Sequence, residues 1–255
     1  MAYAAITLQI QDRIARIVLN RPDSGNILDL TMSQEIIDAC ALIQQDEDIR
    51  VVTLTANGRD FCRGNSFEQP GAKRKPAPGD ILPVAAAIAA LEVPIVCGIQ
   101  GSTRGQGLEL ALACDVRIAT KNARLGFPNV ALGFLPADGG TQRLPRLVGK
   151  APALEMLFTG ETLTAAGARE IGLIGAVVAK EALNKEIEAM TQAMAQKAPY
   201  AFRYIKEAIN KGLDLTLDQG LRLEADLYFL LHTTRDRVEG IRAFQQKRTP
   251  RFEGK

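Results

Sequence analysis

The sequence predicts an α/β protein built of stacked strand–helix units, doubly wound or spiralled, with a helical tail. Three observations carry that expectation. Strand-like and helix-like runs alternate, in units of about fifty residues, up to residue 150. Beyond it the strand signal fades, apart from Gly175–Ala179, and helical periodicity takes over. The chain has 255 residues, 47% of them hydrophobic and 24% charged, enough to bury a large core.

Taken in order, residues Ala5–Gln11 and Ile14–Leu19 read as a hairpin broken at Asp12-Arg13, followed by a turn cluster at residues 21–25. A helix follows, with Thr31 and Gln34 as a capping box and Met32, Ile36, Cys40 and Ile43 on one face. Val51–Ala56 is a β-rich run ended by Asn57-Gly58. Phe61-Cys62-Arg63-Gly64 is a tight loop, with Ser66 placed to cap a short helix. Residues 70–80 are rich in Pro, Gly and Lys and read as a surface loop. Next come a helix over Ile81–Leu91, a strand over Pro94–Ile99, a helix over 106–114 and a strand over Val116–Ala119. The tail reads as helices over Ala151–Phe158, Ala165–Gly172, Glu181–Lys197, Tyr200–Gly212, Leu217–Leu231 and Arg235–Arg248. Phe202, Ile205, Ala208 and Ile209 make an apolar stripe that needs the body or a neighbouring subunit to cover it.

Thirty-one basic and twenty-nine acidic residues nearly cancel, which argues against nucleic acid or an anionic membrane as partner. No apolar run reaches the ~20 residues needed to span a bilayer, and the first residues are too polar for a signal peptide. Cys40, Cys62, Cys97 and Cys114 sit in apolar runs without metal-ligand spacing, as buried free thiols of a reducing, cytoplasmic compartment would. His232, the one histidine, lies in an apolar helical pattern with no nucleophile motif near it, so neither a triad nor a metal site is expected.

The chemistry concentrates between Gly98 and Gly149. In Gly105-Gln106-Gly107-Leu108-Glu109 a glycine turn opens a helix, which aims backbone N–H groups at an oxygen-bearing ligand and sets one carboxylate a turn further on. The Gln106 N–H is a candidate oxyanion donor and Glu109 a candidate acid or base; the alternative is an ordinary helix start with an acidic first turn. The spacing is neither a dinucleotide fingerprint nor a P-loop. Arg63 could supply a second N–H, or sit in a plain turn. The Lys73-Arg74-Lys75 run reads as solvated charge, with ligand phosphates as the other possibility.

Together, FCRG at 61–64, GQGLELALACD at 105–115, LGFPNVALGFLPADGGTQRLPRLVG at 125–149, EGIRAF at 239–244 and KRTPRF at 247–252 resemble the enoyl-CoA hydratase/isomerase (crotonase) family. The resemblance covers essentially the whole chain. It implies a spiral of ββα units over residues 1–195 and a C-terminal helical trimerisation region over 196–255, giving a homotrimer or hexamer. It implies an acyl-CoA thioester as substrate, with no separate cofactor and no metal. Carried over by position, Arg63 and Gln106 would be the two oxyanion donors, with Cys62, Gly64, Asn65, Arg104, Gly105 and Gly107 around the substrate.

Family hydratases use two glutamates. Glu109 matches the first, but Asn129 stands at the second, and asparagine cannot exchange a proton near neutral pH. Asp138, in a loop where small residues are common, is the candidate to compensate. The resulting expectation is hydration or dehydration of an α,β-unsaturated thioester, cyclic or dienoyl acyl groups included. The alternatives are isomerisation, decarboxylation or C–C hydrolysis by one acid, or a non-catalytic RNA- or protein-binding member.

Overall fold

The computed structural model describes residues 3–69, 79 and 81–255. The loop expected at 70–80, with its Lys73-Arg74-Lys75 run, therefore lies outside the described residues, save Gly79. The hairpin forms as expected: β1 (Ile6–Gln11) and β2 (Ile14–Leu19) pair antiparallel, with Asp12 and Arg13 both at positive φ in the turn. Helix α1 (Leu30–Gln45) begins one residue before Thr31, because the Asp29 side chain, not Thr31, accepts the Met32 N–H. A carboxylate is the better cap, since it also favours the positive end of the helix dipole.

β3 (Val51–Ala56) leads to the Phe61–Gly64 loop and a 3-10 turn over Ser66–Glu68. Asn65 caps that turn in place of Ser66, in a reciprocal capping box with Glu68. Helix α2 (Val84–Ala89) is shorter than expected, as Pro83 disfavours helical backbone at Leu82. The chain continues through β4 (Ile95–Ile99), β5 (Ser102–Arg104), α3 (Gln106–Leu112), β6 (Val116–Thr120) and β7 (Arg124–Gly126). After these come α4 (Gly140–Val148), α5 (Lys150–Thr159), β8 (Thr162–Thr164), α6 (Ala165–Glu170), β9 (Ala176–Val178) and α7 (Leu183–Ala195). The tail holds α8 (Pro199–Gly212), α9 (Leu217–Leu231) and α10 (Arg235–Gln245).

The pairing decides between the two expected windings. One sheet has the order β1-β2-β3-β4-β6-β9, parallel except for the first pair; a second has the order β5-β7-β8. The chain steps from the large sheet into the small one twice, at β4–β5 and again at β6–β7. Because β4 pairs with β6 while β5 pairs with β7, one coil stacks on the next. The fold is a spiral.

The main core lies inside the spiral, where α1, α2 and α3 meet around Phe61, Leu108 and Phe127. On the opposite face of the large sheet, α7 packs Leu183 and Ile187 against Val96 and Ile118. Gly98 leaves the space into which Ile187 reaches. All four cysteines are free and buried. α8 packs on α9, yet Ile205, Ile209, Leu213, Leu217 and Leu221 remain exposed along this pair. No described helix is long and apolar enough to cross a membrane.

Candidate active site

The Phe61–Gly64 loop is held on both sides by backbone hydrogen bonds. Phe61 N–H donates to Gln100 O at 2.7 Å, Cys62 N–H to Ser102 O at 3.2 Å and Arg104 N–H to Cys62 O at 3.0 Å. Buried Asp60 ties the same corner, accepting from Ser102 N–H at 2.8 Å and from the Arg63 guanidinium at 2.7 and 2.8 Å. This stitching overturns one expectation. The Arg63 N–H is committed to Gly25 O at 3.1 Å and does not face the site.

The second donor is Asn65, two residues later. Its N–H meets Glu68 Oε2 at 2.7 Å, and the Gln106 N–H meets the same oxygen at 3.1 Å. Two backbone donors from loops forty-one residues apart thus converge on one oxygen atom. Their side chains join as well: Asn65 Nδ2 donates to Gln106 Oε1 at 2.9 Å, which fixes one donor relative to the other. Gly64 and Gly105 hold φ of +89° and +49°, and a Cβ on either would overlap the Glu68 carboxylate. Only glycine satisfies both demands.

Two residues expected around the substrate serve packing instead. Cys62 is fully buried, and burial pushes its thiol up to about 12. Gly107 lets α3 sit directly on Cys62.

Glu109 lies in the first turn of α3 and is 1% exposed. Its Oε1 accepts the N–H groups of Asp138 and Gly140, both at 2.7 Å, from the loop entering α4. Burial pushes its carboxyl up to about 7; those two N–H groups pull down, while the charges of Asp138 and Glu68 push further up. Such a group is poised to take or give a proton near neutrality.

The Asp138 carboxylate accepts from Ala85 N–H at 2.8 Å, at the start of α2, and from Gln106 Nε2 at 3.2 Å. It therefore fastens α2 to the residue that carries the second donor. Burial raises its pKa too. Asn129, 4% exposed, donates from Nδ2 to Glu68 Oε1 at 2.6 Å, while its buried Oδ1 has no partner among the described residues.

Beside the donors opens a cavity of about 730 Å³, lined by Glu68, Gln69, Arg59, Arg63, Arg104 and Arg124 among others. Both arginines singled out in the sequence, Arg63 and Arg104, thus border it. Glu68 was missed altogether. The available signal was Asn65-x-x-Glu68, a capping-box spacing that also reports which residue starts the turn.

The spiral α/β fold thus holds one oxygen between two backbone N–H groups, beside a buried carboxyl of raised pKa. The family profile described as Enoyl-CoA hydratase/isomerase matches residues 9–255. The 2,3-dehydroadipyl-CoA hydratase of Escherichia coli K12 is 36% identical over 247 residues, covering 96% of this chain and 97% of its own. The crotonyl-CoA hydratase of Syntrophomonas wolfei is 36% identical over 259 residues, covering 99% of each. The crystal structure of an enoyl-CoA hydratase from Bacillus anthracis superposes with a TM-score of 0.92 at 34% identity, over 99% of this chain and 100% of that one. The chain belongs to the enoyl-CoA hydratase/isomerase family and is an enzyme of it.

Proposed function

We propose that this enzyme adds water to, or removes it from, an α,β-unsaturated coenzyme A thioester. One observation carries the reading: the Asn65 and Gln106 N–H groups meet on a single oxygen, close to a buried Glu109 whose pKa is about 7. A thioester carbonyl oxygen bound there becomes an enolate oxygen as water attacks Cβ, and each donor contributes roughly 3 kcal/mol to that charge. Glu109 exchanges the proton of the water. The unpartnered Asn129 Oδ1 accepts a hydrogen bond from the water or the product hydroxyl. Asp138 acts as a positioning residue, through Gln106 and through its N–H on Glu109.

The four arginines around the cavity suit the phosphates of coenzyme A. Cyclic and dienoyl acyl groups stay among the candidate substrates beside linear ones. The exposed apolar residues of α8 and α9 support assembly into a homotrimer or hexamer, and the buried free thiols agree with a cytoplasmic setting.

The test is a panel of linear, dienoyl and cyclic enoyl-CoA thioesters in ¹⁸O-labelled water, followed by mass spectrometry. At least one thioester is expected to take up the label, and Glu109→Ala to lose about 1,000-fold in kcat, more than the 10²–10⁴ range's lower end for a single acid–base group. No labelled product from any thioester, or full activity in Glu109→Ala, overturns the reading. Double-bond isomerisation is the second reading, since a single acid–base group such as Glu109 can move a proton along an enoyl thioester. It would give product without label.

A further inference from the structure

Among the described residues, Glu68 is a carboxylate in contact with both N–H donors that the proposed reaction leaves without a task. We propose that Glu68 is the second acid–base residue, resting on the oxyanion donors in the free enzyme and held by Asn129 once the thioester carbonyl takes those donors. The proposal rests on the reading of Asn65 and Gln106 as the oxyanion pair.

A local explanation covers only part of the geometry. Within its 3-10 turn, Glu68 completes a capping box with Asn65, and many turns have one. The Gln106 N–H and the Asn129 amide reach it from 38 and 61 residues away. Neither is needed for a cap. Gly64 and Gly105, from two different loops, both clear space for the same carboxylate. The tertiary fold has built a carboxylate site, and it has built it around the oxygen position where the thioester carbonyl belongs.

The second observation concerns residue 129. Its asparagine cannot move a proton, but its Nδ2 holds a group that can. The acid absent from position 129 is thus supplied by Glu68, at 2.6 Å from that amide. Burial raises the Glu68 pKa from its ordinary value, in the direction a proton donor requires.

One oxygen at a time fits between the two N–H groups. When the thioester carbonyl oxygen arrives, Glu68 Oε2 leaves the two N–H groups that favour its anion and takes a proton from solvent, while Oε1 stays on Asn129 as a pivot. The carboxyl then lies next to the carbonyl carbon, one bond from Cα. In hydration, the water oxygen bonds to Cβ and its proton passes to Glu109. The C=C electron pair becomes the Cα=C1 bond, and the carbonyl pair moves onto the oxygen held by Asn65 and Gln106. The enolate then reforms its carbonyl as Cα takes the proton of the Glu68 carboxylic acid. Glu109 has gained one proton and Glu68 has lost one, and exchange with solvent restores both. Product release returns Glu68 to the donors.

Glu68→Gln tests this, because glutamine keeps an oxygen for Asn65, Gln106 or Asn129 and differs chiefly in having no proton to transfer. Three quantities are read on the full-length protein: hydration kcat, exchange of Cα–H of butyryl-CoA with D₂O by mass spectrometry, and the Kd of butyryl-CoA by calorimetry. In Glu68→Gln, kcat and exchange are each expected to fall at least 100-fold. The Kd is expected to be unchanged or tighter, since the anionic internal competitor is gone. Asn129→Ala, which leaves Glu68 in place without its pivot, is expected to lose roughly 10-fold in both rates.

Glu68→Gln with both rates within threefold of wild type overturns the proposal, even if the Kd tightens, because Glu68 is then only a competitor for the donors. Wild-type enzyme that exchanges no Cα proton overturns it too. Glu68-dependent exchange without hydration of any thioester supports Glu68 while sinking the hydration reading. Hydration that needs Glu109 but not Glu68 does the reverse.

Discussion

Glu109 and Glu68 each accept two backbone N–H groups on one carboxylate oxygen. The distances are 2.7 and 2.7 Å for Glu109, from Asp138 and Gly140. They are 2.7 and 3.1 Å for Glu68, from Asn65 and Gln106. The local electrostatics are alike, but the supports differ. Glu109 is carried by α3, is 1% exposed, and takes its donors from the loop that begins α4. Glu68 is carried by a three-residue 3-10 turn, is partly exposed, and borders the arginine-lined cavity. A pair of donors around a buried helical carboxylate fixes a side chain in place. The same pair around a partly exposed carboxylate at a cavity edge is what the proposed exchange of Glu68 for a thioester oxygen requires.

The comparison breaks most visibly at Gly105. In Gly105→Ala, the new Cβ would overlap the Glu68 carboxylate, and φ of +49° with ψ of −128° disfavours any L side chain. Losing one aligned oxyanion donor is expected to lower kcat about 100-fold, while leaving the Glu109 inflection of the pH profile in place. A variant with near-normal kcat would show that the two donor pairs are not separate devices.

The second prediction concerns stability. The folded Glu109 pKa of about 7 lies above its ordinary 4.5. Between these values the folded chain keeps a proton that the unfolded chain has released, so stability falls as pH rises through that window and levels off above it. Glu109→Gln removes this loss. Urea denaturation should find the variant gaining about 2–3 kcal/mol on wild type between pH 4 and pH 8. An equal pH dependence in both proteins would mean that Glu109 is not held protonated by burial.

The smallest effect is expected at Asp138. Asp138→Asn keeps an acceptor for Ala85 and Gln106 but removes a charge that raises the Glu109 pKa. Turnover should drop by about 10-fold or less, and the Glu109 inflection in kcat/KM should move to lower pH. A loss as large as that of Glu109→Ala would restore Asp138 to direct proton transfer.

Much of this was legible in the chain. The hairpin, β3 and α9 follow from alternation, turn residues and helical periodicity within single windows. Leu217–Leu231 has the expected bounds because Thr216 and Gln219 cap it within one turn. Glu109 and Gln106 were legible for the same reason, as a glycine turn and the helix it opens are neighbours in sequence.

What failed was whatever a distant partner decides. β5, β7 and β8 span three residues each, too few for a period, and exist because Ser102 pairs with Arg124 and Leu125 with Leu163. Arg63 was the wrong donor because Gly25 O, thirty-eight residues earlier, already takes its N–H. Asn129 is buried beside the two donors, and the carboxylate lying against it comes from residue 68, which no local pattern links to it.

By itself the sequence determined the alternation of elements, the glycine positions, Glu109 and its family, because these depend on local backbone preference and ordered motifs. The tertiary structure alone decided that the winding is a spiral, which backbone N–H groups converge, and that Glu68 sits where they meet. A hydrogen bond donor is available only after every competing acceptor has been placed, and those acceptors are brought together by the fold.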